Sequence, residues 1–177
     1  MVFVYLDLET DSTNIDQARI ALCGILVGKD QHAGFFSTAR ELITSLQNMY
    51  ERFDWMVVIG FNTTRFDYPL ISRDTGELRT IYDNWFTVEL QQIMLYLRRW
   101  RYKGNSLLGA LEHFKLPVEK HGSGEDAQKW AHEWLDEKNV ESYNQLKQHC
   151  EADLQNTRRI YEKLRNITEA PEFTGTS

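Results

Sequence analysis

The stretch VFVYLDLET, residues 2–10, decides the fold of this chain. It predicts a strand over residues 2–8 that is apolar on both faces until its acids begin, which is typical of the centre of a sheet. Side chains alternate along a strand, so Asp7 and Glu9 project from the same face. The alternative is that the strand ends at Leu6 and both acids are solvated turn residues. This stretch alone does not exclude that alternative.

The segments that follow predict further strands around the first one. Residues 19–27 and 32–37 have strand-like composition, and their short polar connections favour antiparallel neighbours. Residues 39–53 carry apolar side chains at helical spacing, and residues 55–61 are a strand rich in Val and Ile.

The second half of the chain is predicted to be mostly helical. Residues 86–100 are helix-like but ambiguous, and residues 106–114 form a helix with Ser106 as its N-cap. Further helices are predicted over residues 126–138 and 140–167. The order of these elements is strands, then a helix, a strand and several helices. This order predicts an α/β fold with a mixed central sheet flanked by helices.

Length and composition fit a single domain. The chain has 177 residues, of which 42% are hydrophobic, so we expect one domain over residues 1–168 and a disordered tail over 169–177. The net charge is −6, and the pI is about 5.4. These values argue against a protein that wraps nucleic acid with a broad basic surface. They are compatible with carboxylates that bind divalent cations.

The sequence carries no sign of export, membrane insertion or a disulfide framework. No apolar run approaches the ~18 residues of a membrane span, and the first residues lack the basic region of a signal peptide. We therefore expect a cytoplasmic protein without a membrane partner. Cys23 and Cys150 lie far apart in sequence, which predicts two reduced core cysteines.

A further acid follows the strand over residues 55–61. Asp67 ends the segment GFNTTRFD, residues 60–67, and α/β proteins place ligands at such strand ends. Asp67 could equally be the N-cap of a helix that has Pro69 near its start. The two interpretations are compatible.

Asp153 is the fourth acid that the pattern singles out. It falls on the apolar stripe of the long helix, between Cys150 and Leu154. A carboxylate in that position needs a partner, and a metal ion is one candidate. His149 lies one turn earlier on the same side, where a satisfied or solvated helix histidine is the ordinary interpretation.

Together these segments resemble the DEDD (DnaQ-like) superfamily of 3′–5′ exonucleases, which have a ribonuclease H-like fold. Residues 7–10 match its first motif, residues 62–67 its second, and Asp153 its third. The helix over residues 106–114 and the loop over 120–122 are similar to those before the third motif in the proofreading domains of family-B polymerases.

The resemblance implies hydrolysis of phosphodiester bonds at the 3′ ends of single-stranded DNA or RNA. Carboxylates select hard cations, so two Mg²⁺ or Mn²⁺ ions, about 3.5–4 Å apart, are the expected cofactors. By resemblance, Asp7 bridges both ions, Glu9 and Asp153 complete the site that activates water, and Asp67 serves the second ion.

The chain departs from the superfamily at the fifth catalytic position. One branch has Tyr four residues before the last Asp, and another has His five residues before it. Here His149 occupies the first place and Gln148 the second. One helical residue is a rotation of about 100°, so the places are not interchangeable. His149 is the candidate base, because an imidazole titrates near neutral pH.

Two groups of residues are candidates for substrate binding. By resemblance, Asn62 and Phe66 shape the pocket for the terminal nucleotide, and Thr10 contacts the backbone near the 3′ end. The second group is a basic run with interleaved aromatic residues, which can hold phosphates and stack bases; its alternative is a solvated helix end. The basic residues are Arg98, Arg99, Arg101 and Lys103.

Two other functions fit the same residues. Ribonuclease H-like sites also support endonucleases, and the unusual fifth residue leaves that open. A non-catalytic nucleic-acid-binding module is the third interpretation, and the retained acids argue against it.

Overall fold

The computed structural model of the chain describes residues 1–28, 33–53, 55–77, 85–97 and 106–168. The predicted tail over 169–177 lies outside these ranges. The described residues form a five-stranded sheet and six helices. The strands are β1 (Val2–Thr10), β2 (Ile20–Val27), β3 (Ala33–Phe36), β4 (Met56–Gly60) and β5 (Phe86–Glu89). The helices are α1 (Ala39–Arg52), α2 (Asp67–Thr75), α3 (Leu90–Leu97), α4 (Leu107–Phe114), α5 (Gly124–Glu137) and α6 (Val140–Thr168).

Strand β1 is the central strand, as its apolar faces predict. The order across the sheet is β3-β2-β1-β4-β5. Strand β1 pairs antiparallel with β2 and parallel with β4. The outer strands continue these senses, because β3 is antiparallel to β2 and β5 is parallel to β4. The mixed sheet is confirmed, and β1 extends through both acids to Thr10, so Asp7 and Glu9 are strand residues.

The two faces of β1 contact different halves of the protein. Even-numbered residues such as Val4 and Leu6 belong to a core that α1 and α2 close. Tyr5 belongs to a second core, which the later helices close through residues such as Ala110 and Cys150. Because side chains alternate, Asp7 and Glu9 share the face of Tyr5. They are therefore directed toward the helices of the second half of the chain.

Residues 86–100 differ from the helix-like interpretation. Phe86–Glu89 form β5, and the helix begins only at Leu90. Strand β5 pairs with β4 from Val57↔Phe86 to Gly60↔Glu89. The aromatic and β-branched residues Phe86, Thr87 and Val88 favour a strand once a sheet edge is available to pair with them. Tertiary pairing therefore overrides the local helical pattern.

The other predicted helices are confirmed within a few residues. The Ser106 hydroxyl accepts a hydrogen bond from the Gly109 N–H at 3.1 Å, so the predicted N-cap is present. Among the described residues, Cys23 and Cys150 are buried free thiols. In the same residues, no helix combines the length and apolar character that crossing a bilayer requires.

Candidate active site

Strand β1 presents two acids and helix α6 presents a thiol to one point. One ligand atom from each of Asp7, Glu9 and Cys150 lies within 4.8 Å of the other two. Glu9 is buried, with 7% of its surface exposed, whereas Asp7 is half-buried. Leu6 and Leu8 pack into the opposite core, and this packing fixes the strand that carries the acids.

Asp67 is the first residue of α2 and follows the loop that leaves β4. It is buried, with 4% of its surface exposed. Burial raises the pKa of Asp67 to about 8; the Thr63 side chain opposes the shift and the charge of Glu89 adds to it. The loop turns tightly against the end of β4, since a Cβ on Gly60 would collide with the Thr63 side chain. A carboxylate held in this way favours a cation as its partner.

A fifth carboxylate, which the sequence does not single out, is buried and fixes this loop. Glu89 at the end of β5 accepts hydrogen bonds from the backbone N–H of Asn62 at 2.7 Å and of Thr64 at 2.9 Å. It also accepts one from the Thr64 hydroxyl at 3.1 Å and one from the Gln91 N–H at 3.1 Å. These donors hold Asn62 at a φ of 69°, an uncommon conformation for a residue other than glycine. Glu89 is thus a positioning residue for the segment that leads to Asp67.

Helix α6 contributes Asp153 and His149 on one side, one turn apart. The Asp153 side chain is 33% exposed, so it is less buried than the apolar stripe suggests, and its Oδ2 lies 3.7 Å from His149 Nε2. The other ring nitrogen, His149 Nδ1, lies 2.5 Å from the carbonyl oxygen of His121. A carbonyl oxygen only accepts hydrogen bonds, so Nδ1 carries the proton. In the neutral ring, Nε2 is then a free acceptor on the side of Asp153.

The four acids act on one another electrostatically. Burial, followed by the charges of Glu9, Asp153 and Asp67, raises the pKa of Asp7 well above its usual value. Burial and the charge of Asp153 do the same to the pKa of Glu9. Burial also raises the pKa of Asp153, while the charge of His149 opposes the shift. Among the described residues, no lysine or arginine forms an ion pair with Asp7, Glu9 or Asp67.

The site fits a bound divalent cation. The buried Oε1 of Glu9 accepts no hydrogen bond, and leaving such an atom unpaired is costly. Ligand atoms of Asp7 and Glu9 lie within 4.8 Å of each other, and the charges of Asp153 and Asp67 act on Asp7. Carboxylates are the ligands that Mg²⁺ and Mn²⁺ prefer. A cavity of about 230 Å³ is lined by His149 and Asp153.

The predicted substrate-binding residues are only partly described. The Thr10 hydroxyl donates a hydrogen bond to the Ser12 carbonyl oxygen at 2.8 Å. Asn62 and Phe66 are half-buried in the loop before Asp67, and Phe66 also packs against the first core. The predicted basic contacts lie outside the described residues; they are Arg98, Arg99, Arg101 and Lys103.

Comparison with known families identifies the class to which this arrangement belongs. The model of the RNase_H superfamily matches residues 4–165, which include all four acids and the whole sheet except the first two residues of β1. The chain therefore belongs to the RNase_H superfamily. The sequence matches no protein of curated function.

Solved structures with the same fold include nucleases and a polymerase. The family B DNA polymerase of the hyperthermophilic archaeon Pyrobaculum calidifontis superimposes with a TM-score of 0.69 at 17% identity, over 93% of this chain and 24% of the polymerase. Product-bound exonuclease I superimposes with a TM-score of 0.61 at 10% identity, over 93% of this chain and 43% of the exonuclease. Escherichia coli exonuclease I in complex with a dT13 oligonucleotide superimposes with a TM-score of 0.56 at 11% identity, over 93% of this chain and 41% of the exonuclease. The chain thus spans a quarter to two fifths of these proteins, and at such identities the likeness establishes the fold.

Proposed function

We propose that this chain is a metal-dependent nuclease that removes nucleotides from the 3′ ends of single-stranded DNA or RNA, and that residues 1–168 are its catalytic domain. The observation that carries the proposal is the convergence of Asp7, Glu9, Asp67 and Asp153, whose pKa values are all raised. Within the part of the chain that the structure describes, no lysine or arginine forms an ion pair with the first three. Titratable groups perturbed in this way are concentrated at functional sites. Membership of the RNase_H superfamily supports the reaction class.

The four acids would hold two Mg²⁺ or Mn²⁺ ions, because their oxygens are hard donors. When bound, such ions generate a nucleophilic hydroxide and stabilise the leaving oxygen. The roles of the protein residues follow from their positions. Asp7 and Glu9 are fixed by the central strand, Asp153 closes the site from helix α6, and Asp67 approaches from the start of α2.

His149 would accept the proton of the attacking water. Its Nδ1–H is engaged by the His121 carbonyl oxygen, so its Nε2 lone pair points to the side of Asp153. That orientation is the one a general base needs. A tyrosine at this position would need a lowered pKa to accept the proton. Histidine in place of tyrosine therefore changes the chemical group of the base but keeps its function.

The loop before Asp67 would receive the terminal nucleotide. Asn62 and Phe66 are half-buried there, and Glu89 holds the loop backbone in place. Thr10 lies at the end of β1, one residue beyond Glu9, where it could contact the sugar-phosphate backbone. Arg98, Arg99, Arg101 and Lys103 would bind phosphates of the preceding nucleotides.

A labelled single strand tests the proposal. With Mg²⁺ or Mn²⁺, a 5′-labelled oligonucleotide should give a descending ladder of products, and Asp7→Asn should abolish it. Asp16→Asn, the same change at an exposed aspartate, is the matched control and should cut normally. Equal behaviour of wild type and Asp7→Asn would contradict the proposal. Cutting of a circular single strand would instead indicate an endonuclease, since a circle has no end.

The role of His149 is tested by the shape of the pH–rate profile. His149→Gln should lower kcat by about 100-fold, the scale of general-base catalysis, and should remove the limb of the profile that reports the base. An unchanged profile in this variant would show that another group accepts the proton.

A further inference from the structure

Cys150 occupies a place in the site that the proposed reaction does not use. Its thiol is fully buried on the helix α6 turn before Asp153, and it faces the strand residues Asp7 and Glu9. Gly24 of β2 makes this approach possible. It pairs directly with Asp7 across the sheet, and a Cβ at Gly24 would collide with the Cys150 sulfur. The sheet is therefore open at the point where the sulfur meets the acids.

The donor set at this point is mixed. Asp7 and Glu9 offer oxygens, and Cys150 offers a sulfur, all within 4.8 Å of one another. Glu9 supplies a second, independent observation that points to a ligand. Only 7% of the residue is exposed, and its Oε1 is buried without a hydrogen-bond partner. Asp7 keeps an exposed side, which gives an ion access to the cluster from solvent.

A site of two carboxylates and a thiolate prefers different cations from a site made of carboxylates alone. Oxygen donors suit Mg²⁺ and Mn²⁺, whereas thiolates select softer ions such as Zn²⁺. Zn²⁺ binds sulfur and carboxylate ligands and usually has four of them. Two oxygens, one sulfur and one water would complete its coordination.

We propose that Asp7, Glu9 and Cys150 form a site for one thiophilic divalent cation of the zinc class, and that this ion competes with the catalytic Mg²⁺ or Mn²⁺. Binding forms a sulfur–metal bond and releases the thiol proton to solvent, so no oxidant or reductant is needed. The competition rests on the proposed nuclease function, because the two kinds of ion share Asp7 and Glu9. The consequence is a nuclease that free zinc switches off.

Cadmium is the direct probe, because Cd²⁺ bound to a thiolate has a sulfur-to-metal charge-transfer absorption band and an oxygen-only site has none. The wild-type protein should develop this band with one equivalent of Cd²⁺. Cys150→Ser should lack it. Cys23→Ser is the matched control, since Cys23 is also buried but belongs to the opposite core, and it should retain the band. In calorimetry, Cys150→Ser should bind Zn²⁺ about 100-fold more weakly, the scale of changes in a metal's ligand surroundings.

The outcomes separate this inference from the proposed function. If the band is absent from wild type, or persists in Cys150→Ser, the thiol is not a ligand and the inference is overturned, whatever the nuclease assay shows. If the band appears and the Mg²⁺-dependent ladder does not, the thiol is a ligand and the proposed function fails. Should Cys150→Ser not fold, ¹¹³Cd NMR of the wild type decides alone, because sulfur ligation shifts the resonance far from that of an all-oxygen site.

Discussion

Glu9 and Glu89 both stand at the carboxyl end of a strand and are equally buried, yet their carboxylates have opposite surroundings. Glu9 is 7% exposed and Glu89 is 9% exposed. Both oxygens of Glu89 accept hydrogen bonds, from two loop residues and from the start of α3. The Oε1 of Glu9 accepts none, and its nearest charged neighbours are other acids.

The difference shows that Glu89 has a structural role, whereas the surroundings of Glu9 favour a bound cation. Hydrogen bonds from backbone N–H groups stabilise the charge of Glu89 and use it to hold a loop. Glu9 has a hydrogen bond with the Asp7 side chain, but its buried Oε1 has lost water without gaining a donor, so the charged form of Glu9 is unfavourable until a cation binds. The same substitution, Glu to Gln, should therefore have different effects at the two positions.

The largest effect is expected on activity. Glu9→Gln should lower kcat for oligonucleotide cleavage by about 10³-fold, the scale of losing one electrostatic group from an active site. Glu89→Gln removes charge only from a positioning residue, and we expect about a tenfold loss, as for a small displacement of a catalytic group. Single-turnover cleavage measures both. Equal losses would break the distinction between the two glutamates.

The next effect is on stabilisation by metal. Mn²⁺ at 100 times its Kd should raise the free energy of unfolding of the wild type by about 2.7 kcal/mol, provided that it binds only the folded state. Glu89→Gln should show the same increase, and Glu9→Gln little of it. Urea unfolding with and without Mn²⁺ gives these values. Full stabilisation of Glu9→Gln would show that Glu9 holds no ion.

Without metal, the two substitutions should change stability with opposite signs. Glu89→Gln leaves backbone donors with a weaker acceptor and should cost about 1–3 kcal/mol. Glu9→Gln removes an unpaired buried charge and should stabilise the metal-free protein by about 1 kcal/mol at pH 8. Urea unfolding with a chelator present measures both, and destabilisation by Glu9→Gln would refute the view that its carboxylate lacks a partner.

The last effect is a pH dependence of the stability of the metal-free protein. Burial raises the pKa of Asp67 to about 8, so the folded state binds its proton more tightly than the unfolded state does. The contribution of this proton to stability is full at pH values near 4 and is lost as the pH rises through about 8. Asp67→Asn should flatten the profile of unfolding free energy over this range, by about 1–3 kcal/mol. A profile unchanged by Asp67→Asn would place the titration elsewhere.

Much of the fold was predictable because its signals are local. The apolar faces of β1 predicted its central position, and the helical stripe of residues 140–167 predicted α6. Strand β5 was not predictable, since Phe86–Glu89 become a strand only by pairing with β4. That pairing joins segments about 30 residues apart, and no local pattern reports it.

The site divides in the same way. The places of the four acids on strands and helices are sufficient to predict them as candidate site residues; they are Asp7, Glu9, Asp67 and Asp153. Glu89 was missed because its partners Asn62 and Thr64 are 27 and 25 residues away in sequence. Cys150 was read as an ordinary core cysteine, and it is indeed buried. What the sequence did not show is that Gly24, on another strand, lets its sulfur reach the acids.

The position of the acids along the chain has a consequence for protein synthesis. Asp7 lies on β1 and Asp153 on α6, so the ribosome adds 146 residues after Asp7 to reach and include Asp153 (153 − 7). At about 5–20 residues per second, this interval is on the order of 10–30 s. Throughout it the nascent chain, which is held beside its own messenger RNA, lacks the helix that carries Asp153. If the proposed function holds, the chain would therefore be able to cut nucleic acid only when almost all of its domain has been made.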